Sequence, residues 1–432
     1  MMKKIVIAMD SFKGSLSAAQ ATHISAETVR ACLPTCDVVE LPMTDGGEGF
    51  AGILASNDDA SMSFMPVDMV VHGPLASPVA ARYFYNNNTH TAIMELAAAC
   101  GLTLVDDAHR NPLKTSTFGV GEMILDAVQR GASHIVLGIG GSATNDAGTG
   151  LLSALGFRFL DKNGIALHGC GENLAKIRSI DSSNVNKKLF DVSFTIACDV
   201  NNPLLGECGA SRVYGPQKGA DEAMVELLEC GMKNFAEVVD ATYNIGRSSR
   251  SGLFGTAELN YLSDDIANSH ISCTRNSESS APGSQKIRYK NISTIPGGGA
   301  AGGVGSALYA FLNAQLKPGI DVILDILNFD EIIKDANLII TGEGSLDEQT
   351  VNGKVAMGIL KHAMAQGVPT IAIGGQLTAA KLLNNAGFTA CFSIINTPCS
   401  LHECLSEDLS KYNLNTTITQ IINLINNISY LG

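Results

Sequence analysis

Short apolar runs that end abruptly in polar, glycine-rich loops recur along the chain, with helix-compatible stretches between them. Lys4–Met9 (KIVIAM) predicts a strand that runs into the polar loop Asp10–Gly14. From there Leu16, Ala19, His23, Ala26, Val29 and Leu33 recur at helical spacing, and Ser17 with Gln20 forms a capping box. Val38–Met43 predicts a second strand, ending in Thr44–Gly49 (TDGGEG). Near the other end Leu338–Ile340 leads into a loop at Thr341–Ser345 (TGEGS), Thr370–Ile373 into two glycines, and Cys391–Ile395 into a further loop. Ile418, Ile421, Ile422, Ile425 and Ile428 mark one stripe of a last helix that packs on the sheet. Strands alternating with helices in this way form a parallel sheet covered on both faces, and such sheets collect ligands at the carboxyl ends of their strands.

The middle of the chain has its own strand series: Thr91–Met94, His134–Ile139, Phe157–Leu160 and Val192–Ala197. At 432 residues the chain exceeds the size at which one core stops growing. We therefore expect an α/β protein of two domains, residues 1–70 with 292–432 forming a discontinuous domain and 71–291 a domain inserted into it. The cleft between them is the expected active site. Arg247–Asn291 is rich in Ser, Asn and Arg without sustained periodicity, and predicts an insertion or surface loop.

Composition narrows the function classes. A net charge of -13 argues against a nucleic-acid or anionic-membrane partner, since phosphate-backbone affinity comes from clustered Lys and Arg. Any phosphate must be held locally, by backbone amides, a few selected cations or a bound divalent metal. The 11 cysteines include no CxxC pair, the nearest being Cys32 with Cys36 and Cys399 with Cys404, and we expect reduced thiols. The apolar run before Asp10 is too short for a signal-peptide core, and no later run reaches membrane-spanning length, so the expected location is the cytoplasm.

Chemistry concentrates in the loops after the strands. Gly138–Gly150 (GIGGSATNDAGTG) follows a strand and is expected to open a helix near Ala143, so the amides of Gly140, Gly141 and Ser142 suit an anion. Taken alone, Gly138, Gly140 and Ala143, with Asp161 beyond the next strand, also satisfy a dinucleotide fingerprint and would suit an oxidoreductase. Asn145 and Asp146 favour a Mg²⁺-nucleotide instead, because a carboxylate repels a bare pyrophosphate. Asp10 and Lys13 in DSFKGS place an acid and a base at the first strand's exit. Three acidic loops, with Asp45 and Glu48, with Asp199, and with Glu343 and Asp347 after Gly342, offer metal ligands or a base for an attacking hydroxyl. Lys218 in GPQKG and Lys354 after Gly353 add cations, although no Walker A loop is present.

Together DSFKGS, LPMTDGGEG, HGPL, MELAAACGL, RNPLKTSTFGVGE, GIGGSATNDAGTG, ACDVNNPLLG, GPQKG, PGGGAAGG and TGEGSLDEQT resemble, in order and spacing, the bacterial glycerate kinases that form 2-phosphoglycerate. The glycine-rich Pro296–Ala307 by itself also resembles the phosphate loop of the galactokinase and mevalonate kinase superfamily. The family resemblance implies a discontinuous flavodoxin-like domain with an inserted α/β domain, a requirement for ATP and Mg²⁺, and phosphorylation of D-glycerate at its 2-hydroxyl. From the chemistry of their side chains, Asp199, Asp10, Lys13 and Asp347 are the catalytic candidates, and Arg110, Asp45, Glu48 and Lys218 the substrate-binding ones. Gly140, Gly141, Ser142, Asn145, Asp146, Gly298, Gly299, Gly342 and Glu343 are expected around the nucleotide, with Asp199 and Glu343 on the metal; a homodimer is allowed for. Two departures stand out: the long Arg247–Asn291 segment, and Met9 where proline is commoner.

Overall fold

The computed structural model describes residues 2–44, 49–55, 63–248 and 291–429. Asp45, Glu48 and most of the expected insertion lie outside them, as does the side chain of Ile428. The strands are β1 (Lys4–Met9), β2 (Asp37–Glu40), β3 (Met65–His72), β4 (Pro78–Asn86), β5 (Thr91–Glu95), β6 (His134–Gly138), β7 (Arg158–Leu160), β8 (Ser179–Asp181), β9 (Ser193–Ala197), β10 (Gln315–Lys317), β11 (Leu338–Leu346), β12 (Thr370–Leu377) and β13 (Ala390–Ser393). The chain divides into two compact units, Met1–Ser63 with Lys317–Gly432, and Phe64–Leu316.

The first unit carries a five-stranded sheet in the order β13-β12-β11-β1-β2, with every neighbouring pair parallel. Counted within the unit this is the flavodoxin-like order, whose direction of winding reverses between β1 and β11. β1 is buried from Ile5 to Met9, as a central parallel strand covered on both faces must be. Ile5, Ile7 and Met9 pack with Ile340 and Ile373 and with Leu414, Ile418, Ile421 and Ile422 of the helix Glu407–Ser429.

The helix Ala18–Cys32 begins at the expected capping box, with Ser17 and Gln20 each bonding the other's backbone. Its buried face differs from the expected stripe: Ala19 and His23 are exposed, while Thr22, Ser25 and Thr28 are buried. Burial of two of these hydroxyls is permitted because Ser25 Oγ donates to Ala21 O and Thr28 Oγ1 to Ile24 O, each at 2.7 Å.

A larger correction concerns TGEGS, expected as a loop. β11 runs straight through it, paired with β1 as far as Gly342 and with β12 as far as Leu346. Glycine is needed at position 342, since a Cβ there would stand 2.5 Å from Ile373 O and 2.8 Å from Met9 Sδ.

The second unit is built on a sheet ordered β10-β9-β6-β5-β4-β3, in which β9, β6 and β5 are parallel and β4 and β3 run antiparallel. β3 and β4 escape the sequence reading because one face of β3 is largely exposed, leaving no continuous apolar run. β7, expected with the main strands, pairs instead with β8 in a separate ladder. The helical segment Ala300–Leu312, interrupted by left-handed backbone at Ala301, Gly302 and Gly303, was expected with the discontinuous domain, from residue 292 onward. It buries Val304, Ala307, Leu308 and Phe311 in the second unit's core, Phe311 meeting Phe157 edge-on and stacking on Phe235, so the division falls at 317.

The expectation of reduced thiols is corrected at one place. Cys399 and Cys404 form a disulfide, their Cα atoms brought to 6.2 Å around the short helix Leu401–Cys404. The other eight described cysteines are unbridged. Among the described residues no helix is long and apolar enough to cross a membrane.

Candidate active site

At the reversal point of the first unit, the loop after β1 and the far half of β11 enclose a pocket of about 260 Å³. Asp10, Ser11 and Lys13 line it from the loop, Glu343 and Ser345 from the strand, and Lys354 from the start of the helix Val355–Ala365. Alternation along β11 places Thr341, Glu343 and Ser345 on one face, an unusual polar row on an interior strand. Asp10 is buried; its Oδ1 accepts from the Ser11 amide at 2.6 Å, and its own amide donates to Gly342 O at 2.8 Å.

Glu343 is only 6% exposed, and its Oε1 accepts a 2.7 Å hydrogen bond from Thr350 Oγ1. Burial raises its pKa above the ordinary carboxylate value, and the charges of Asp10 and Asp347 push the same way, against the Thr350 hydroxyl and Lys354. Asp347 goes the other way. Its burial alone would raise the pKa, but Ser345 Oγ at 3.0 Å, the Gln349 amide at 2.8 Å and Lys354 Nζ at 3.7 Å from its carboxylate bring it below normal. Within this row Thr341 Oγ1 is buried with no hydrogen-bond partner among the described residues.

The second unit arranges its motifs differently from expectation. After β6 the chain passes through left-handed conformations at Gly141, Ala147 and Gly148, with φ of 69°, 51° and 68°, and the helix starts only at Thr149. Left-handed residues cannot continue an α-helix, so Gly140, Gly141, Ser142, Asn145 and Asp146 belong to a broad loop. Asp161 spends one carboxylate oxygen on the amides of Asn163 and Ile165 in a turn after β7, and the dinucleotide reading loses both its helix and its acid.

Asp146 also turns inward. Fully buried, it accepts from Thr117 N and Oγ1 and from the amides of Gly148 and Gly150, all between 2.8 and 3.1 Å, so it braces the loop. Lys218, expected on the substrate, is likewise inside, donating to Ser142 Oγ at 2.8 Å and Thr144 O at 2.6 Å. The Pro296–Ala307 segment lies directly on the same loop: Ala147 N donates to Gly302 O at 2.9 Å, and Gly302 has φ 68°. Asn145 Nδ2 reaches Ser211 Oγ at 3.2 Å. Gly298 donates to Ile295 O, and Gly299 to Asn202 O in the loop that carries Asp199. Asp199 itself is exposed, just past β9. Arg110 pairs with Asp107 at 2.7 Å and backs onto Gly219, beside Lys218.

The family model for glycerate kinases matches residues 5–426, nearly the whole chain. The chain belongs to the glycerate kinase family. A glycerate kinase from Halalkalibacterium halodurans is 39% identical over 94% of both chains. A glycerate 2-kinase from Escherichia coli K12 is 37% identical over 93% of this chain and 92% of its own. A crystal structure from Salmonella typhimurium LT2 assigned to glycerate kinase 2 shares 36% identity, with a TM-score of 0.79 and complete coverage of both chains.

In this member of the glycerate kinase family the expected residues thus form two groups. Asp10, Lys13, Gly342, Glu343 and Asp347 gather at the switch point of the first unit; Arg110, Lys218, the Gly140–Asp146 loop, Asp199, Gly298 and Gly299 belong to the second. Sequence reasoning missed Thr341, Ser345 and Thr350, although the alternating T-x-E-x-S along β11 was a usable signal.

Lys218 yields a prediction in this kinase. Burial lowers its pKa from 10.5 to about 8, partly offset by Cys100 and Asp146. Between those values the unfolded chain keeps a proton that the folded chain has lost, so Lys218 favours folding more as pH rises through that window; below it the burial penalty is felt in full. The stability of the parent relative to Lys218→Met should therefore improve from pH 8 to 10.5, by up to roughly 3 kcal/mol. Melting curves across that range check it, and a pH-independent gap between the two proteins would contradict it.

Proposed function

We propose that this kinase transfers the γ-phosphoryl group of ATP to the 2-hydroxyl of D-glycerate, yielding 2-phosphoglycerate and ADP, and does so in the cytoplasm. The carrying observation is the switch-point pocket, which sets two buried carboxylates, Asp10 and Glu343, beside Lys13 and Lys354 in a volume suited to a small hydroxy acid. Phosphoryl transfer asks the protein mainly to position the reactants and balance charge. In this reading Lys13 and Lys354 face the anionic groups, and Asp10 accepts the proton of the attacking hydroxyl. Asp199 and Arg110 are the second unit's candidates for metal and substrate carboxylate, respectively.

Mg²⁺ would be held at Glu343, a buried carboxylate that lines the pocket together with Asp10. Among the described residues no three His, Cys, Asp or Glu side chains cluster to hold a metal by themselves. Mg²⁺ commonly keeps several waters and takes only one or two carboxylates together with substrate phosphates. When bound it supplies charge neutralisation at the phosphate oxygens.

Phosphorus NMR of the product from D-glycerate and ATP tests the reading. A phosphate on the 2-oxygen couples to one methine proton and gives a doublet. A triplet would move the transfer to the 3-hydroxyl, and absence of product would remove glycerate as the substrate.

A further inference from the structure

We infer that Thr350 is a positioning residue that fixes the carboxylate of Glu343 for the reaction through one buried hydroxyl. The inference rests on the reading that Glu343 belongs to the reacting site. Thr350 opens a short 3₁₀ turn after β11 and is fully buried. Its Oγ1 receives the Asp347 amide at 3.1 Å, and lies 2.7 Å from Glu343 Oε1 and 3.3 Å from Ser345 O. A hydroxyl has a single proton to give, and here it has two acceptors. The nearer one is a carboxylate, and hydrogen bonds to ionised acceptors are shorter and roughly twice as strong as neutral ones, so the proton goes to Glu343.

The terminal torsion of a glutamate is otherwise broad. Tying Oε1 removes that freedom and leaves Oε2 for the pocket that Glu343 lines. The donor is itself held in place. Asp347, whose amide feeds Thr350, is clamped by Ser345 Oγ, the Gln349 amide and Lys354. The segment 345–350 is a chain of hydrogen bonds, from Ser345 Oγ to the Asp347 carboxylate and from the Asp347 amide to Thr350 Oγ1, that delivers one donor to one carboxylate oxygen. A residue that merely shaped the turn would need only the backbone partner, Ser345 O.

The test uses the full chain with Thr350→Val, Thr350→Ser, Glu343→Gln and the Thr350→Val/Glu343→Gln pair. kcat, KM for ATP and for D-glycerate, and the melting temperature of the ligand-free protein are measured for each. Valine keeps the shape and deletes the hydroxyl; serine keeps the hydroxyl. Thr350→Val should lower kcat by roughly tenfold or more, the range of a lost hydrogen bond to a charged group, with KM for ATP little changed. Thr350→Ser should recover most of the parental kcat. In the Glu343→Gln background, Thr350→Val should cost almost nothing further, because the group it positions has already been replaced.

Equal losses in the serine and valine variants, or a valine loss that multiplies in full onto Glu343→Gln, would overturn the role of Thr350 while leaving Glu343 in the site. Should the valine variant melt far below the parent, the serine variant decides: parental kcat supports the role and a deep loss removes it. Parental kcat in Glu343→Gln would overturn the reading of Glu343, and with it the role of Thr350.

Discussion

Glu343→Gln is expected to lower kcat by roughly 10²- to 10³-fold, the scale seen when one preorganised electrostatic contact is removed, here the carboxylate that would hold the metal. Its melting temperature should hold or rise. Glutamine keeps the shape and can still receive the Thr350 hydroxyl, but it deletes a charge buried at 6% exposure among other carboxylates. A buried charge without full compensation costs stability, so activity and stability should separate in this variant. Steady-state kinetics beside a melting curve are sufficient. A kcat within a few fold of the parent would remove Glu343 from the reaction.

The second large effect is structural. Gly302→Ala should destabilise the protein by about 2–5 kcal/mol, combining the strain of a left-handed L-residue with forced displacement of packed backbone. Position 302 has φ 68°, and a Cβ there would lie 2.2 Å from Thr144 O and 2.6 Å from Asn145 Cα. Neither neighbour is a flexible side-chain end, so the two glycine-rich motifs must separate. A marked fall in melting temperature is the expected readout. Gly52→Ala is the control: it stands exposed in the helix Phe50–Ala55 with nothing within 4 Å of its added Cβ, and should be neutral or mildly stabilising. If both variants melt alike, the close contact between the 297–305 segment and the 139–148 loop is not what holds this unit together.

The same two places show how far the residues alone could be read. KIVIAM and the Ser17–Gln20 capping box depend on neighbours in sequence, and both are found where the pattern puts them. TGEGS is also local, yet its glycines suggest a turn. Only the ladders with β1 and β12 make it a strand and set Thr341, Glu343 and Ser345 on one face. In GIGGSATNDAGTG the glycines correctly signal a special backbone, but they do not show that Asp146 and Lys218 point into the protein. Four donors around one carboxylate, supplied from Thr117, Gly148 and Gly150, are visible only once the chain is folded.

By itself, the order of residues determined the alternation of strands and helices, the two-part organisation, the family, and which strand exits carry acids, lysines and glycines. The family follows from the resemblance of ten ordered motifs; the other properties follow from short-range periodicity and from side-chain chemistry that does not depend on distant neighbours. The tertiary structure alone decided that β1 lies against β11, bringing Asp10 to Glu343, that the helix Ala300–Leu312 belongs to the second unit's core, and that burial raises one carboxylate while neighbouring donors lower another. Burial and charge coupling are properties of atoms adjacent in space, and adjacency in space is set by strand pairing between segments at opposite ends of the chain.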